Sequence, residues 1–140
     1  MLKDLIDKLL IDLEMNQDEM AEEEGRITID LDENLSVSFS ELSPKGIGMF
    51  SVLGPCPKMK QEELFTTLMT SNLFGDQTGG AIIGLDSQGK NVTMRLDIPR
   101  QLTYSEFYGD VENFLNYVDF WQQELQEHIK QSEGKSDLLH

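Results

Sequence analysis

Gln61-Glu62-Glu63-Leu64-Phe65-Thr66-Thr67-Leu68-Met69-Thr70-Ser71-Asn72-Leu73 opens the stretch that decides the fold, residues 61–99. Leu64 and Leu68 stand four apart, as do Phe65 and Met69, so the run is predicted to be a short helix with a wide apolar face. Gly75 and the Gly79-Gly80 doublet break that pattern. Ala81-Ile82-Ile83-Gly84-Leu85 then reads as a strand too apolar to keep a wet face. Asp86-Ser87-Gln88-Gly89-Lys90 supplies a turn, and Asn91-Val92-Thr93-Met94-Arg95-Leu96-Asp97-Ile98 alternates with period two until Pro99 stops it. The unit is helix, glycine loop, hairpin.

Working outward toward the amino end, Ile27, Ile29 and Leu31 alternate along one strand and Leu35, Val37 and Phe39 along the next, with Asp32-Glu33-Asn34 as the turn between them. Ser43-Pro44-Lys45-Gly46 makes another turn, and residues 47–53 are a third strand that Gly54-Pro55-Cys56-Pro57 closes. Ahead of these, Leu2, Leu5, Ile6, Leu9, Leu10 and Leu13 recur at steps of three and four, an amphipathic helix over residues 2–13. Residues 14–25 carry Asp18, Glu19, Glu22, Glu23 and Glu24 and read as a mobile acidic connection.

Toward the other end, Phe107, Val111, Phe114, Val118, Trp121 and Leu125 mark a long helix over residues 103–130, and Thr103-Tyr104-Ser105-Glu106 gives it a capping-box start. Its aromatic stripe is read as core, because large rings cover a sheet well. The expected class is α+β: helix, three strands, helix, two strands, helix, with helices packed on an antiparallel sheet. Residues 1–130 form the single domain, and residues 131–140, polar and without period, an unordered tail.

A chain of 140 residues is long enough to bury roughly 70% of its unfolded surface, so a full core is expected. With 26 acidic against 11 basic residues the formal charge is −15, a field that repels phosphate backbones and argues against nucleic acid as a partner. No run of about 18 apolar residues is present, which argues against membrane insertion. The first residues carry acid where a secretory signal carries base, and the single cysteine, Cys56, has no internal partner; both point to a cytoplasmic setting.

Three motifs have plainer readings. Asp30, Asp32, Asn34, Ser36 and Glu41 occupy calcium-loop places, but Leu35 stands where that loop needs glycine and the flanks alternate like strands. Gly84, Gly89 and Lys90 echo a phosphate-binding loop, yet Asn91 replaces its hydroxyl residue and a strand follows where a helix is required. His128 and His140 have no second ligand at metal spacing. No metal, cofactor or catalytic group is therefore assigned, and the chain is read as a non-enzyme.

Leu64, Leu68, Asn72-Leu73, Gly80, Gly84-Leu85-Asp86, Leu96 and Pro99 together resemble the central part of the class I type III secretion chaperones, the small acidic Tir-chaperone (CesT-like) type. Gly25-Arg26-Ile27-Thr28-Ile29-Asp30 and Leu53-Gly54-Pro55 fit the same pattern, which extends over most of residues 2–125. The resemblance implies a homodimer whose interface takes in Leu64, Phe65, Leu68, Met69, Leu73, Ile82 and Ile83. It also implies a client, the segment of a secreted effector next to its secretion signal, held in extended form by Leu5, Leu9, Ile27, Ile29, Val37, Phe39, Met49 and Phe50. The secretion apparatus ATPase is a further candidate partner. Two other readings stand beside it: a regulatory binding protein of the same fold outside secretion, and a small acidic calcium-dependent module or hydrolase built on Asp30, Asp32 and Glu41.

Overall fold

The computed structural model describes residues 1–75 and 77–138. Helix α1 is Leu2–Asp12; strands β1 (Met20–Glu23), β2 (Arg26–Asp32), β3 (Leu35–Glu41) and β4 (Ile47–Pro55) follow. Helix α2 is Gln61–Phe74, then come β5 (Ile82–Leu85), β6 (Asn91–Ile98) and helix α3 (Tyr104–Leu138). The six strands form one antiparallel sheet in the order β1-β2-β3-β4-β6-β5.

Alternation sorts the strand residues by face. Ile27 and Ile29 of β2, Val37 and Phe39 of β3, Ile47 and Met49 of β4, Ile83 of β5, and Val92 and Met94 of β6 are all buried. Against them lie Leu5, Ile6 and Leu9 of α1 and Phe107, Val111, Phe114 and Val118 of α3, with the Phe39 and Phe107 rings 5.5 Å apart. Burying such side chains stabilises by about 1.5–3 kcal/mol each. The buried Ser51 hydroxyl on this side is satisfied by donating to the Ser36 carbonyl at 2.7 Å.

α3 begins as its capping box dictates: Glu106 N–H donates to Thr103 Oγ1 at 3.2 Å and Thr103 N–H donates to Glu106 Oε1 at 3.0 Å. The Thr103 backbone N–H, with Arg100 beside it, holds the Glu106 carboxyl below its usual range. At the other end of α3 the unordered tail expected from Gln131 is not what is found, because the helix continues to Leu138; Leu139 and His140 lie outside the described residues. Residues 131–138 contain no proline, and extending an existing helix requires no new nucleus.

A second correction concerns the acidic connection. Met20-Ala21-Glu22-Glu23 is a strand, paired with β2 from Met20 opposite Ile29 to Glu23 opposite Arg26. Glu24 and Gly25 make the two-residue turn with φ of 51° and 77°, both in the left-handed region where glycine is favoured. The four residues of β1 are too polar to read as a strand, and their partner supplies what their own pattern lacks.

Candidate partner-binding surfaces

The calcium-loop places fall on the β2–β3 hairpin. A register shift sets Asp30 opposite Ser36 but Asp32 opposite Leu35, so both stand on a bulged strand pair and not on a wrapped loop. Asp32 Oδ1 accepts from Asn34 N–H at 2.7 Å, closing the turn. Glu41 lies at the far end of β3, where its Oε1 accepts from Leu2 N–H at 3.0 Å, roughly 20 Å along the strand from Leu35. The calcium-loop reading is thereby corrected: a hairpin spreads these oxygens instead of wrapping them. Gly84 likewise sits in β5, while Asp86 closes the turn by accepting from Lys90 N–H and from Asn91 Nδ2. Those bonds, that to Asn91 foremost, lower its carboxyl pKa. The Cys56 thiol is pushed upward by burial and by Asp86, the reverse of what a nucleophile needs.

What the molecule does offer is surface. The sheet face opposite α1 and α3 carries Thr28, Ser38, Phe50, Arg95 and Ile82, one from each of β2, β3, β4, β6 and β5, in directly opposed pairs. The Thr28 and Ser38 hydroxyls share a 2.8 Å hydrogen bond, and the Arg26 guanidinium lies 5.2 Å over the Phe50 ring. This face changes character across its width, from hydroxyls to apolar side chains, with Val52 43% and Ile82 66% exposed. Beside it on α2, Met69 and Leu73 are 71% and 74% exposed.

Its two edges differ. At β5 the Asn72 carboxamide occupies the place of a neighbouring strand: Nδ2 donates to the Ile83 carbonyl at 2.7 Å and Oδ1 accepts from Ile83 N–H at 2.8 Å. At β1 the outer edge has no strand partner among the described residues.

Residues singled out in the sequence divide accordingly. Of the eight assigned to a client, Leu5, Leu9, Ile27, Ile29, Val37, Phe39 and Met49 lie in the core of the single chain, and Phe50 is half-exposed on the open face. An alternating strand names its two sides, but only the positions of α1 and α3 decide which side is covered. Of the seven assigned to a dimer interface, Leu64, Leu68 and Ile83 are buried within the chain, Phe65 is half-buried, and Met69, Leu73 and Ile82 are exposed. The strand expected to lack a wet face thus has one in a single chain. Val52, Leu85 and the β1 edge are surface features the sequence reading missed; Val52 carries the needed signal, an apolar residue out of phase with the core, whereas Leu85 shares the side of Ile83 and is exposed at the end of its strand.

Comparison with known proteins accords with this architecture. The family model for the Tir chaperone protein (CesT) family matches residues 5–122, and the chain belongs to that family. A protein of Chlamydia pneumoniae is 32% identical over 103 residues, 73% of this chain and 78% of its own. Among solved structures, a chain of the ExsC–ExsE complex superposes with a TM-score of 0.71 at 18% identity, over 89% of this chain and 92% of that one. A chain of the HopA1–SchA chaperone–effector complex gives 0.64 at 19% identity, over 87% and 93%. One from the heterodimeric ExoU–SpcU complex of the Pseudomonas aeruginosa type III secretion system gives 0.62 at 12% identity, over 86% and 93%. Among the described residues no helix is long and apolar enough to cross a membrane.

Proposed function

We propose that this chain is a type III secretion chaperone that binds the amino-terminal region of one or more effectors in extended form and keeps them soluble and competent for export. The observation that carries the reading is the open sheet face bordered by a strand, β1, whose outer edge has no strand partner among the described residues, in a member of the Tir chaperone family. An extended segment adds to such an edge through main-chain hydrogen bonds and sets alternate side chains onto the face. The client contacts are Phe50, Val52 and the β1 edge, in place of the seven core residues. The role is one of binding without catalysis, in the cytoplasm, with the apparatus ATPase as a further partner. A charge of −15 keeps open apolar patches from self-association.

The working form is a homodimer joined through Phe65, Met69, Leu73 and Ile82 about a two-fold axis. The test is capture of the chain from its native cytosol, with the mass of the complex and of the partner measured together. A two-to-one complex with a larger secreted protein, protected from protease over a segment near the partner's amino end, is expected. Absence of such a partner overturns the reading. For the dimer, Leu73→Asp changes an exposed side chain and should give a folded monomer by light scattering; a dimeric Leu73→Asp protein refutes the interface.

A further inference from the structure

Between α2 and α3 lies a socket of about 150 Å³, walled by Leu53, Leu64, Leu68, Val92, Trp121 and Leu125. With an apolar floor and a polar rim, a cleft of this volume is the right size for one large side chain. Exposed Thr67, Glu124, Glu127 and Gln131 form its mouth together with the half-buried His128, whose Nε2 lies 3.3 Å from the Met59 carbonyl. Leu53, Glu124 and Glu127 also line a second and broader groove of about 1280 Å³, so the two are continuous. That groove runs between the β2–β3 turn, the end of β4 and the outward side of α3. Its walls bear the carboxylates of Asp30, Asp32, Glu33, Asp119, Glu124 and Glu127, with Lys130 the basic side chain among the described residues lining it. Leu31, Leu35, Val52 and Pro55 add apolar surface to the same walls.

We infer that this continuous surface is a docking site for a basic protein segment carrying one large aliphatic residue. The aliphatic side chain fills the socket, and lysines or arginines on either side of it lie along the carboxylates of the groove. Charge complementarity selects the occupant: an acidic segment is repelled and a basic one is attracted. The site meets the open sheet face at Val52, while its socket, between α2 and α3, lies apart from that face and from the β1 edge; it does not depend on the chaperone reading.

Trp121 is the single tryptophan and forms part of the socket wall, its indole N–H fixed on the Gln77 carbonyl at 2.8 Å, so its emission reports filling directly. The probe is a fluorescein-labelled peptide, glycine-lysine-lysine-leucine-arginine-lysine-glycine, titrated by anisotropy, with the unlabelled peptide used for Trp121 emission. Binding with a dissociation constant below about 1 mM, a change in Trp121 emission, and weakening with added salt are expected. Replacing the peptide leucine by serine, or blocking the mouth with Thr67→Phe at an exposed helical position, should each weaken binding by about tenfold or more. The exposed pair Glu124→Gln and Glu127→Gln should also weaken binding and flatten its salt dependence, a result independent of how well Thr67→Phe folds. No binding overturns the proposal. Binding that leaves Trp121 unmoved and survives both the serine peptide and Thr67→Phe also overturns it, since only diffuse attraction to an acidic surface would remain.

Discussion

Asn72 offers a direct test of how the sheet is closed at β5. Truncation to alanine removes two hydrogen bonds, at 2.7 and 2.8 Å, and strands both main-chain groups of Ile83, a residue only 3% exposed. Each lost bond costs about 1 kcal/mol net, and each group left buried without a partner costs about 1–3 kcal/mol, so the total expected is about 2–4 kcal/mol once local rearrangement is allowed. In a chain of this size that is a fall in Tm of about 5–15 °C. Urea unfolding followed by Trp121 emission gives the free energy. Amide exchange gives the location: the Ile83 N–H, held in the native chain by Asn72, should exchange at least about tenfold faster in Asn72→Ala, while Met94 on the neighbouring strand changes only with global stability. A loss below about 0.5 kcal/mol with the Ile83 amide still protected would refute the reasoning.

Three further outcomes follow from the packing. Tyr104 donates to Asp12 Oδ2 at 2.5 Å, and burial together with that carboxylate raises its pKa from 10.0 to about 12. A raised folded-state pKa contributes stability that is complete below pH 10 and lost as pH climbs through 12; spectrophotometric titration should show the late phenol, and Tyr104→Phe should abolish that slope. At Gly79, φ is +64° and an added Cβ would lie 2.5 Å from the Tyr117 ring, so Gly79→Ala should destabilise by about 1–3 kcal/mol in thermal unfolding, and Tyr117→Ala should relieve only the steric part. Phe39 is fully buried against Phe107, so Phe39→Ala should cost about 3–5 kcal/mol in urea, whereas Phe50→Ala on the open face should stay within about 1 kcal/mol.

How much of this was legible depended on whether a signal was local. The α3 start was written in Thr103 and Glu106, whose reciprocal bonds need nothing beyond four residues. The β5–β6 hairpin and the strand parity of β2 and β3 were equally plain, since alternation survives any placement of the helices. Family membership was legible too, because it is carried by element order and scattered apolar positions together. By contrast, β1 was invisible: Met20-Ala21-Glu22-Glu23 is strand only because β2 pairs with it. The covered face was invisible for the same reason, since both sides of β4 carry apolar residues, Met49 on one and Phe50 and Val52 on the other. Alternation named both sides of β4, and only the placement of the helices decided which of them is buried in the single chain.

The contrast between the two rims of the sheet also bears on how concentrated such a protein can become. A sheet with a bare border ordinarily invites copies of itself to queue rim to rim, the first step toward a fibre. Here one rim is already occupied by the Asn72 carboxamide, and the other bears Glu22 and Glu23, which an identical antiparallel copy would bring close to their own counterparts. Like charges so placed repel, while a strand of opposite or neutral character meets no such obstacle. The molecule therefore keeps a receptive border in reserve without joining into chains.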